Sequence, residues 1–106
     1  MKNDLQAMRK QWVLYILECG DGSFYTGITN DLQRRFHMHV IGKGAKYTRG
    51  RGPLKLKYQE ICGDYGVALR REIEIKKLSH KEKLRLCQRH SQEVDVEVIF
   101  SNNGIN

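Results

Sequence analysis

Cysteine is scarce in this sequence of 106 residues, which contains only Cys19, Cys62 and Cys87. The number is odd, and no two of them form a C-x-x-C pair. A disulfide scaffold uses cysteines in pairs, and structural zinc sites usually contain closely spaced pairs, so the sequence argues against both. We expect small buried or half-buried thiols in a reducing compartment.

Long apolar runs are also missing. No run approaches the roughly 20 residues that span a bilayer, and the first ten residues, MKNDLQAMRK, lack the apolar core of a secretory signal. Hydrophobic residues make up 40% of the chain and charged residues 29%, as in soluble globular proteins. We therefore expect a cytoplasmic protein of one domain, with one modest core and no membrane partner.

Acidic residues are outnumbered by basic ones. The chain has 12 Asp and Glu against 19 Lys and Arg, a net charge of +7. In a small chain this excess indicates a polyanionic partner, most often nucleic acid. A basic surface that serves only solubility would fit the charge equally well, so the residue pattern has to decide.

Several short segments have the composition of β-strands. β-Branched and aromatic residues fill 11–17 and 24–28, and the Asp-Gly turn between them predicts a hairpin. Partial alternation predicts a third strand over 54–61 and an extra C-terminal strand over 94–98. These segments favour a small antiparallel sheet.

A first helix is expected after the hairpin. Asn30 and Gln33 have the spacing of a capping box, and the helix should stop at Gly42. Its buried stripe is expected to consist of Leu32, Phe36 and Val40.

Two further helices are predicted, over 65–78 and from Ser79 to about residue 89. Ser79 and Glu82 have the S-x-x-E spacing of a capping box at the start of the second of these. The predicted fold class is thus α+β (α/β), a small three-stranded antiparallel sheet flanked by helices, with the extra C-terminal strand.

The loop GKGAKYTRGRGP, residues 42–53, contains four glycines and the only proline of the chain. Long loops in small domains are often functional. We expect its cationic side chains to follow a nucleic-acid backbone, since the glycines permit close approach. These side chains are Lys43, Lys46, Arg49 and Arg51. An ordinary solvated loop is the alternative.

Glu72 is out of place on the second predicted helix. On a 3.6-residue period it falls within the apolar stripe, whereas Glu74 falls on the solvent face. The stripe consists of Tyr65, Ala68, Leu69 and Ile75. A carboxylate on a core face costs several kcal/mol unless it is paired or binds a metal. A buried salt bridge, for example to Arg35, is the alternative to a metal site.

Other polar side chains lie beside apolar ones. Arg35 and His39, at i and i+4, border the stripe of the first helix, whereas Arg34 and His37 point away. Taken singly, an arginine stem packed on apolar surface and a satisfied core histidine explain them.

The predicted hairpin carries Tyr15 and Tyr25, ten residues apart, together with Gly27. Sheet packing is the default explanation for either tyrosine. A glycine within a strand suggests the close approach of another group.

These positions in order resemble the GIY-YIG nuclease superfamily, which is named for two strand motifs about ten residues apart. The motifs match Val13-Leu14-Tyr15 and Tyr25-Thr26-Gly27. Arg35 matches the family's helix arginine, His39 the histidine one turn later, and Glu72 the metal-binding glutamate. The sequence is similar in particular to the small stand-alone bacterial members, the YhbQ/YazA-like group.

The likeness covers roughly residues 12–88, and we divide the chain accordingly. A nuclease-like domain spans 11–90, preceded by a polar lead, 1–10, and followed by an extension, 91–106, with a frayed end. Three positions depart from the family pattern: Val13 stands in place of glycine, Ile28 in place of lysine and Val40 in place of asparagine.

The resemblance implies a metal-dependent DNA endonuclease with little sequence specificity, acting in a process such as DNA repair or recombination. Glu72 would hold one Mg²⁺ or Mn²⁺ ion, Arg35 would bind the scissile phosphate, and Tyr15 or Tyr25 would activate water. His39 would support them. Arg34 and Gly27 join the loop cations as nucleic-acid-binding positions.

Two other readings remain open at this stage. One is a binding module that keeps the fold without useful cleavage. The other is a nuclease subunit that needs a protein partner for targeting, because 106 residues leave no room for a second domain. In either case we expect a monomer that binds nucleic acid, with DNA the first candidate.

Overall fold

The computed structural model describes residues 11–90 of the chain. Within this range the elements are β1 (Trp12–Glu18), β2 (Phe24–Thr29), α1 (Leu32–Val40), β3 (Lys55–Gly63), α2 (Tyr65–Lys76) and α3 (His80–His90). The predicted α+β class and three-stranded antiparallel sheet are confirmed. The strand predicted over 94–98 and the segments 1–10 and 91–106 lie outside the described residues.

The sheet has the order β2-β1-β3, with β1 at its centre. Side chains of a strand alternate between the two faces of a sheet, so β1 supplies both halves of the core. Leu14 and Ile16 pack with Ile75 of α2 on one face. Tyr15 and Leu17 pack on the other face, against α1 and the segment that enters β3.

The hairpin turn forms as predicted from Asp-Gly. Gly22 has a φ of 85°, a conformation that glycine adopts without strain. The side chain of Asp21 accepts hydrogen bonds from the backbone and hydroxyl of Ser23, at 3.1 and 2.6 Å. These contacts fix the register that places Tyr15 opposite Gly27.

Helix α1 stops before Gly42 as predicted, but its N-cap and its buried stripe differ from the prediction. Its N-cap is Asp31, whose carboxylate accepts from the backbone of Arg34 at 3.2 Å, so the prediction of Asn30 is wrong by one residue. Val40 is 56% exposed, whereas His39 is buried. In the last turn of this nine-residue helix the buried side chain is that of His39. The predicted stripe is therefore wrong at Val40.

Helices α2 and α3 follow the predicted pattern closely. The capping box of α3 is confirmed: Ser79 Oγ accepts from the backbone of Glu82 at 3.1 Å, and the Glu82 carboxylate accepts from the backbone of Ser79 at 3.0 Å. Tyr65 is wrongly assigned to the buried stripe of α2, because it is 51% exposed. Its ring lies at the end of the sheet against Trp12, with the centroids 4.7 Å apart.

All three cysteines are free thiols, as predicted: Cys19 and Cys87 are buried and Cys62 is half-buried. Within residues 11–90, no helix combines the length and the apolar character that crossing a bilayer requires.

Candidate active site

Tyr15 stands at the centre of the candidate site. It lies on the buried central strand, and its side chain is 1% exposed. Its hydroxyl is 2.8 Å from Nε2 of His39, a buried hydrogen bond between β1 and α1. His39 is itself 1% exposed, so the side chain that the sequence placed at the core edge lies fully within the core.

Gly27 makes room for the phenol of Tyr15. A Cβ atom at Gly27 would lie 2.5 Å from the Tyr15 oxygen, closer than real Cβ contacts permit. Gly27 is on the edge strand β2, directly opposite Tyr15 in the register. The phenol therefore passes over Gly27 toward the edge of the sheet, and the close approach that the sequence suggested is by Tyr15.

An aromatic cluster surrounds this hydrogen bond. The ring of Tyr25 lies 6.3 Å from that of Tyr15 and 5.1 Å from the imidazole of His39, centroid to centroid. Tyr47, from the loop 42–53, stacks on Tyr25 at 6.1 Å. The two motif tyrosines and the histidine thus form one cluster, which the loop covers on one side.

Arg35 lies one helical turn before His39 and is half-buried. Its Nη2 donates to the backbone carbonyl of Gly44 at 2.8 Å. The guanidinium also acts as a hydrogen-bond donor toward the phenol of Tyr15. Of its five N–H groups, those not engaged with Gly44 and Tyr15 can bind a ligand. Its charge acts on both Tyr15 and His39, which places it within electrostatic range of each.

Burial is the main influence on the pKa values of the hydrogen-bonded pair Tyr15 and His39. It raises the pKa of Tyr15 to about 12, and the charges of Tyr25 and Glu72 act in the same direction, while Arg35 opposes them. Burial lowers the pKa of His39 to about 4, with a further contribution from Arg35. Arg35 lowers the pKa of Tyr15, but the desolvation of a buried phenolate is the larger effect. At neutral pH the resting pair is a phenol and a neutral imidazole.

The side chain of Glu72 is 18% exposed on α2, between the buried residues Ala68 and Ile75. Its carboxylate pairs with Lys76 at 3.3 Å, an i, i+4 contact along the helix. The salt bridge that was the alternative to a metal site thus forms locally with Lys76, and it leaves the carboxylate in reach of solvent. The effect of Glu72 on the pKa of Tyr15 brings it into the same group of side chains.

A metal ion at this site would have few protein ligands. Among the described residues, no three His, Cys, Asp or Glu side chains are grouped to hold a metal ion. This excludes a structural zinc type of site there, which takes four protein ligands. Mg²⁺ keeps several water ligands and commonly binds through one or two carboxylates. The single, partly exposed carboxylate of Glu72 fits that requirement.

The basic loop divides into two groups of side chains. Those of Lys43, Lys46 and Arg49 are exposed, as is that of Arg34 on α1. Arg51 is engaged within the protein: its Nη1 is 2.7 Å from Oδ2 of Asp21, and its guanidinium lies over the ring of Tyr47 at 4.4 Å. Arg51 thus ties the loop to the hairpin turn.

Two loop residues belong to the site although sequence reasoning did not select them. Thr48 is 2% exposed, and its Oγ1 is 2.8 Å from Nδ1 of His39. Gly44 supplies the carbonyl that Arg35 binds. The only signal available for Thr48 was an uncharged polar residue within a highly charged loop, which is too common a feature to indicate a role.

Comparison with known proteins identifies the family of the chain. A model of the GIY-YIG catalytic domain matches residues 11–85. A UPF0213 protein of Cupriavidus pinatubonensis is 45% identical over 86 residues, which cover 81% of this chain and 96% of that protein. A UPF0213 protein of Oceanobacillus iheyensis is 48% identical over 86 residues, which cover 81% of this chain and 100% of that protein.

Solved structures of similar proteins have the same fold. The solution NMR structure of a UPF0213 protein from Bacillus halodurans is 46% identical, with a TM-score of 0.51 over 78% of this chain and 88% of that one. A protein from E. faecalis, also solved by NMR, is 36% identical, with a TM-score of 0.55 over 80% of this chain and 91% of that one. The chain therefore belongs to the GIY-YIG domain family, and its relatives are the small UPF0213 proteins.

Proposed function

We propose that this protein is an endonuclease that hydrolyses DNA phosphodiester bonds with one divalent metal ion and little sequence specificity. The proposal rests mainly on one observation: the phenol of Tyr15 is hydrogen-bonded to His39 and lies within electrostatic range of Arg35, Tyr25 and Glu72. A base, a cation for phosphate and a metal-binding carboxylate are the groups that this hydrolysis requires.

Arg35 binds the scissile phosphate in this proposal. Its hydrogen bond to the Gly44 carbonyl orients the guanidinium, and the N–H groups that are not engaged with Gly44 or Tyr15 can contact phosphate oxygens. Because the group is half-buried, its charge is less screened than that of an exposed arginine. It therefore stabilises the negative charge that develops on the phosphate.

Glu72 would hold the divalent ion, either Mg²⁺ or Mn²⁺. The bound ion would supply charge stabilisation at the phosphate and at the leaving 3′ oxygen. Before the ion binds, Lys76 neutralises the carboxylate at 3.3 Å. A lysine side chain is long and flexible, so it can give way to the ion.

Tyr15 and His39 handle the proton of the attacking water. The water oxygen forms a bond to phosphorus and passes its proton to the Tyr15 oxygen, as the phenolic proton moves to Nε2 of His39. The bond between phosphorus and the 3′ oxygen breaks, and that oxygen takes a proton from solvent. Since both transfers occur together, no free phenolate forms, although the pKa of Tyr15 is about 12. The imidazolium of His39, whose pKa is about 4, then releases its proton to solvent, which restores the resting pair.

The nucleic acid is proposed to cross the exposed cations of the loop 42–53 and the start of α1. Lys43, Lys46, Arg49 and Arg34 are exposed, and nothing in their arrangement resembles a base-reading module. Gly27 is buried beneath the Tyr15 phenol, so we assign it a supporting role. DNA repair or recombination remains the proposed setting.

A binding module without useful cleavage is the second candidate. Two observations favour it: burial raises the pKa of Tyr15 to about 12, and Glu72 is neutralised by Lys76. Such a protein would bind nucleic acid through the same cations. It would not cleave nucleic acid, whether or not a divalent metal ion is present.

The decisive experiment is a cleavage panel on linear DNA, branched DNA and RNA, with Mg²⁺, with Mn²⁺ and with EDTA. Wild type is compared with Glu72→Gln and with the matched control Glu74→Gln, whose side chain lies on the same helix but is 66% exposed. We expect cleavage that requires metal, is lost in Glu72→Gln and is retained in Glu74→Gln. DNA binding should survive within a few-fold in both variants.

The outcomes separate the two candidates. Equal cleavage by wild type and Glu72→Gln would overturn the assignment of Glu72 to the metal. Absence of cleavage on every substrate, together with tight binding of DNA, would favour the binding module.

A further inference from the structure

Thr48 is an unusual residue for its position. It lies in a loop of mostly charged and glycine residues, yet it is 2% exposed. Its Oγ1 forms two hydrogen bonds: one with Nδ1 of His39 at 2.8 Å, and one with the backbone carbonyl of Ala45 at 3.2 Å. The polar part of this side chain is therefore fully committed inside the protein.

These two contacts determine which nitrogen of His39 carries the proton. A carbonyl oxygen can only accept, so the hydroxyl proton of Thr48 is donated to Ala45. The Thr48 oxygen must then accept from His39, which requires a proton on Nδ1. A neutral imidazole has one N–H, so Nε2 carries a lone pair and accepts the hydroxyl proton of Tyr15.

The same loop holds the imidazole in place sterically. A Cβ atom at Gly44 would lie 2.5 Å from Nδ1 of His39, so only glycine allows the loop backbone to pass this close to the ring. The carbonyl of Gly44 also binds Arg35. The loop therefore contacts the side chains of both Arg35 and His39, and Gly44 makes this packing possible.

We propose that Thr48 is a positioning residue that holds His39 in the Nδ1–H tautomer and so directs the hydroxyl proton of Tyr15 to Nε2. With the other tautomer, Nε2–H would donate to the Tyr15 oxygen, and the phenolic proton would have no acceptor on His39. The consequence for cleavage rests on the proposed function. The tautomer itself does not, because it follows from buried contacts of the protein alone.

The test is ¹⁵N NMR of the imidazole nitrogens in the folded protein without substrate, which distinguishes a protonated from a bare ring nitrogen. In wild type we expect Nδ1 of His39 protonated and Nε2 bare. Thr48→Val keeps the shape and removes the hydroxyl, so the preference for Nδ1–H should weaken by about tenfold, the value of one hydrogen bond. Thr48→Ser retains the hydroxyl and should keep the wild-type pattern.

Thr26→Val is the matched control. Thr26 is also a buried threonine, 3% exposed, but its hydroxyl has no hydrogen-bond partner among the described residues. Its replacement should leave the His39 tautomer unchanged. Where cleavage is measurable, Thr48→Val should slow it by up to about tenfold, the expected loss of preference for the productive tautomer, and Thr48→Ser should approach wild type.

Two results would overturn the proposal. One is a wild-type spectrum in which Nε2 of His39 is protonated; this result needs no variant and so does not depend on the folding of Thr48→Val. A folded Thr48→Val that kept the full Nδ1–H preference would show that Thr48 only anchors the loop. If the tautomer behaves as expected but wild type cuts no nucleic acid, the assignment of Thr48 stands and the nuclease proposal falls.

Discussion

The phenolic oxygen of Tyr15 lies 2.8 Å from Nε2 of His39, and this buried bond joins the central strand to the helix that follows the hairpin. It distinguishes the two motif tyrosines, which the sequence left equivalent. Tyr15 has a proton acceptor at hydrogen-bond distance, whereas Tyr25 contributes ring contacts with His39 and Tyr47. The chemistry that we propose therefore depends on Tyr15 more than on Tyr25.

Phenylalanine at each position should separate these roles. Tyr15→Phe should lower the cleavage rate about 10²–10⁴-fold, as expected for loss of a general base. It should also lower the free energy of unfolding by about 1–3 kcal/mol, because Nε2 of His39 is left buried without its partner. Tyr25→Phe keeps the ring and should lose less on both measures. Single-turnover cleavage and urea unfolding of both variants test this, and a Tyr15→Phe protein as active as wild type would contradict it.

Alanine at Gly27 should disturb the same bond by steric means. The added Cβ would lie 2.5 Å from the Tyr15 oxygen, so the phenol must move away from His39. Overpacking of this kind costs about 1–3 kcal/mol, and cleavage should fall with it. Gly66→Ala on α2 is the control, because its Cβ would meet nothing closer than 3.8 Å. Thermal unfolding should show Gly27→Ala destabilised and Gly66→Ala unchanged or slightly stabilised; equal melting temperatures would refute the steric argument.

Acid should destabilise the protein through His39. Its pKa falls from 6.5 to about 4 on folding, so between these values the unfolded chain binds a proton that the folded protein does not. The stabilisation is complete above pH 6.5 and is lost as pH falls toward 4. The loss from this group is at most about 3.5 kcal/mol, at about 1.4 kcal/mol per pKa unit over the shift from 6.5 to about 4.

Urea unfolding at pH 7.5 and at intermediate acid values measures this effect. His39→Gln should be less stable at pH 7.5 but should show a flatter pH dependence, because the titrating group is gone. His37→Gln, an exposed position on the same helix, should keep the wild-type slope. The assignment fails if His39→Gln and wild type lose stability in parallel.

The cations of the loop 42–53 should fall into two functional groups. Lys43, Lys46 and Arg49 are exposed, and if each meets one phosphate they contribute roughly −2.7 to the slope of log affinity against log salt on duplex DNA. Replacing all three with alanine should flatten the slope by about that amount. Arg51→Ala should instead mainly release the loop from Asp21, with a stability loss of about 1 kcal/mol or less.

Salt titrations of DNA binding, paired with thermal unfolding, distinguish these effects. An unchanged slope in the triple variant would move the nucleic acid to another basic surface, for which Lys76, Lys77, Lys81 and Lys83 on the later helices are the next positions to replace. A large change of slope in Arg51→Ala would return this residue to the phosphate-binding group, as the sequence suggested.

Local features of the sequence predicted most of the secondary structure. The Asp-Gly turn and the Ser79–Glu82 capping box involve residues at most four positions apart, so their physics is contained in the local sequence. The one-residue error at Asn30 arose because the choice of N-cap depends on more than the local sequence. Asn30 and Asp31 are both good N-caps, and the hydrogen bond between Thr29 Oγ1 and the backbone of Asp31, which depends on where β2 ends, favours the second.

The sequence by itself determined which residues we propose for the candidate site: Tyr15, Tyr25, Arg35, His39 and Glu72 were selected through their resemblance to a known family. Tertiary structure alone decided how these residues act on one another. The bond between Thr48 and His39, the ion pair of Arg51 with Asp21 and the passage of Tyr15 over Gly27 all join separate segments. Burial, which only the packed fold creates, also determines the proton states of Tyr15 and His39. Desolvation depends on every neighbour that excludes water, and no local stretch of sequence specifies those neighbours.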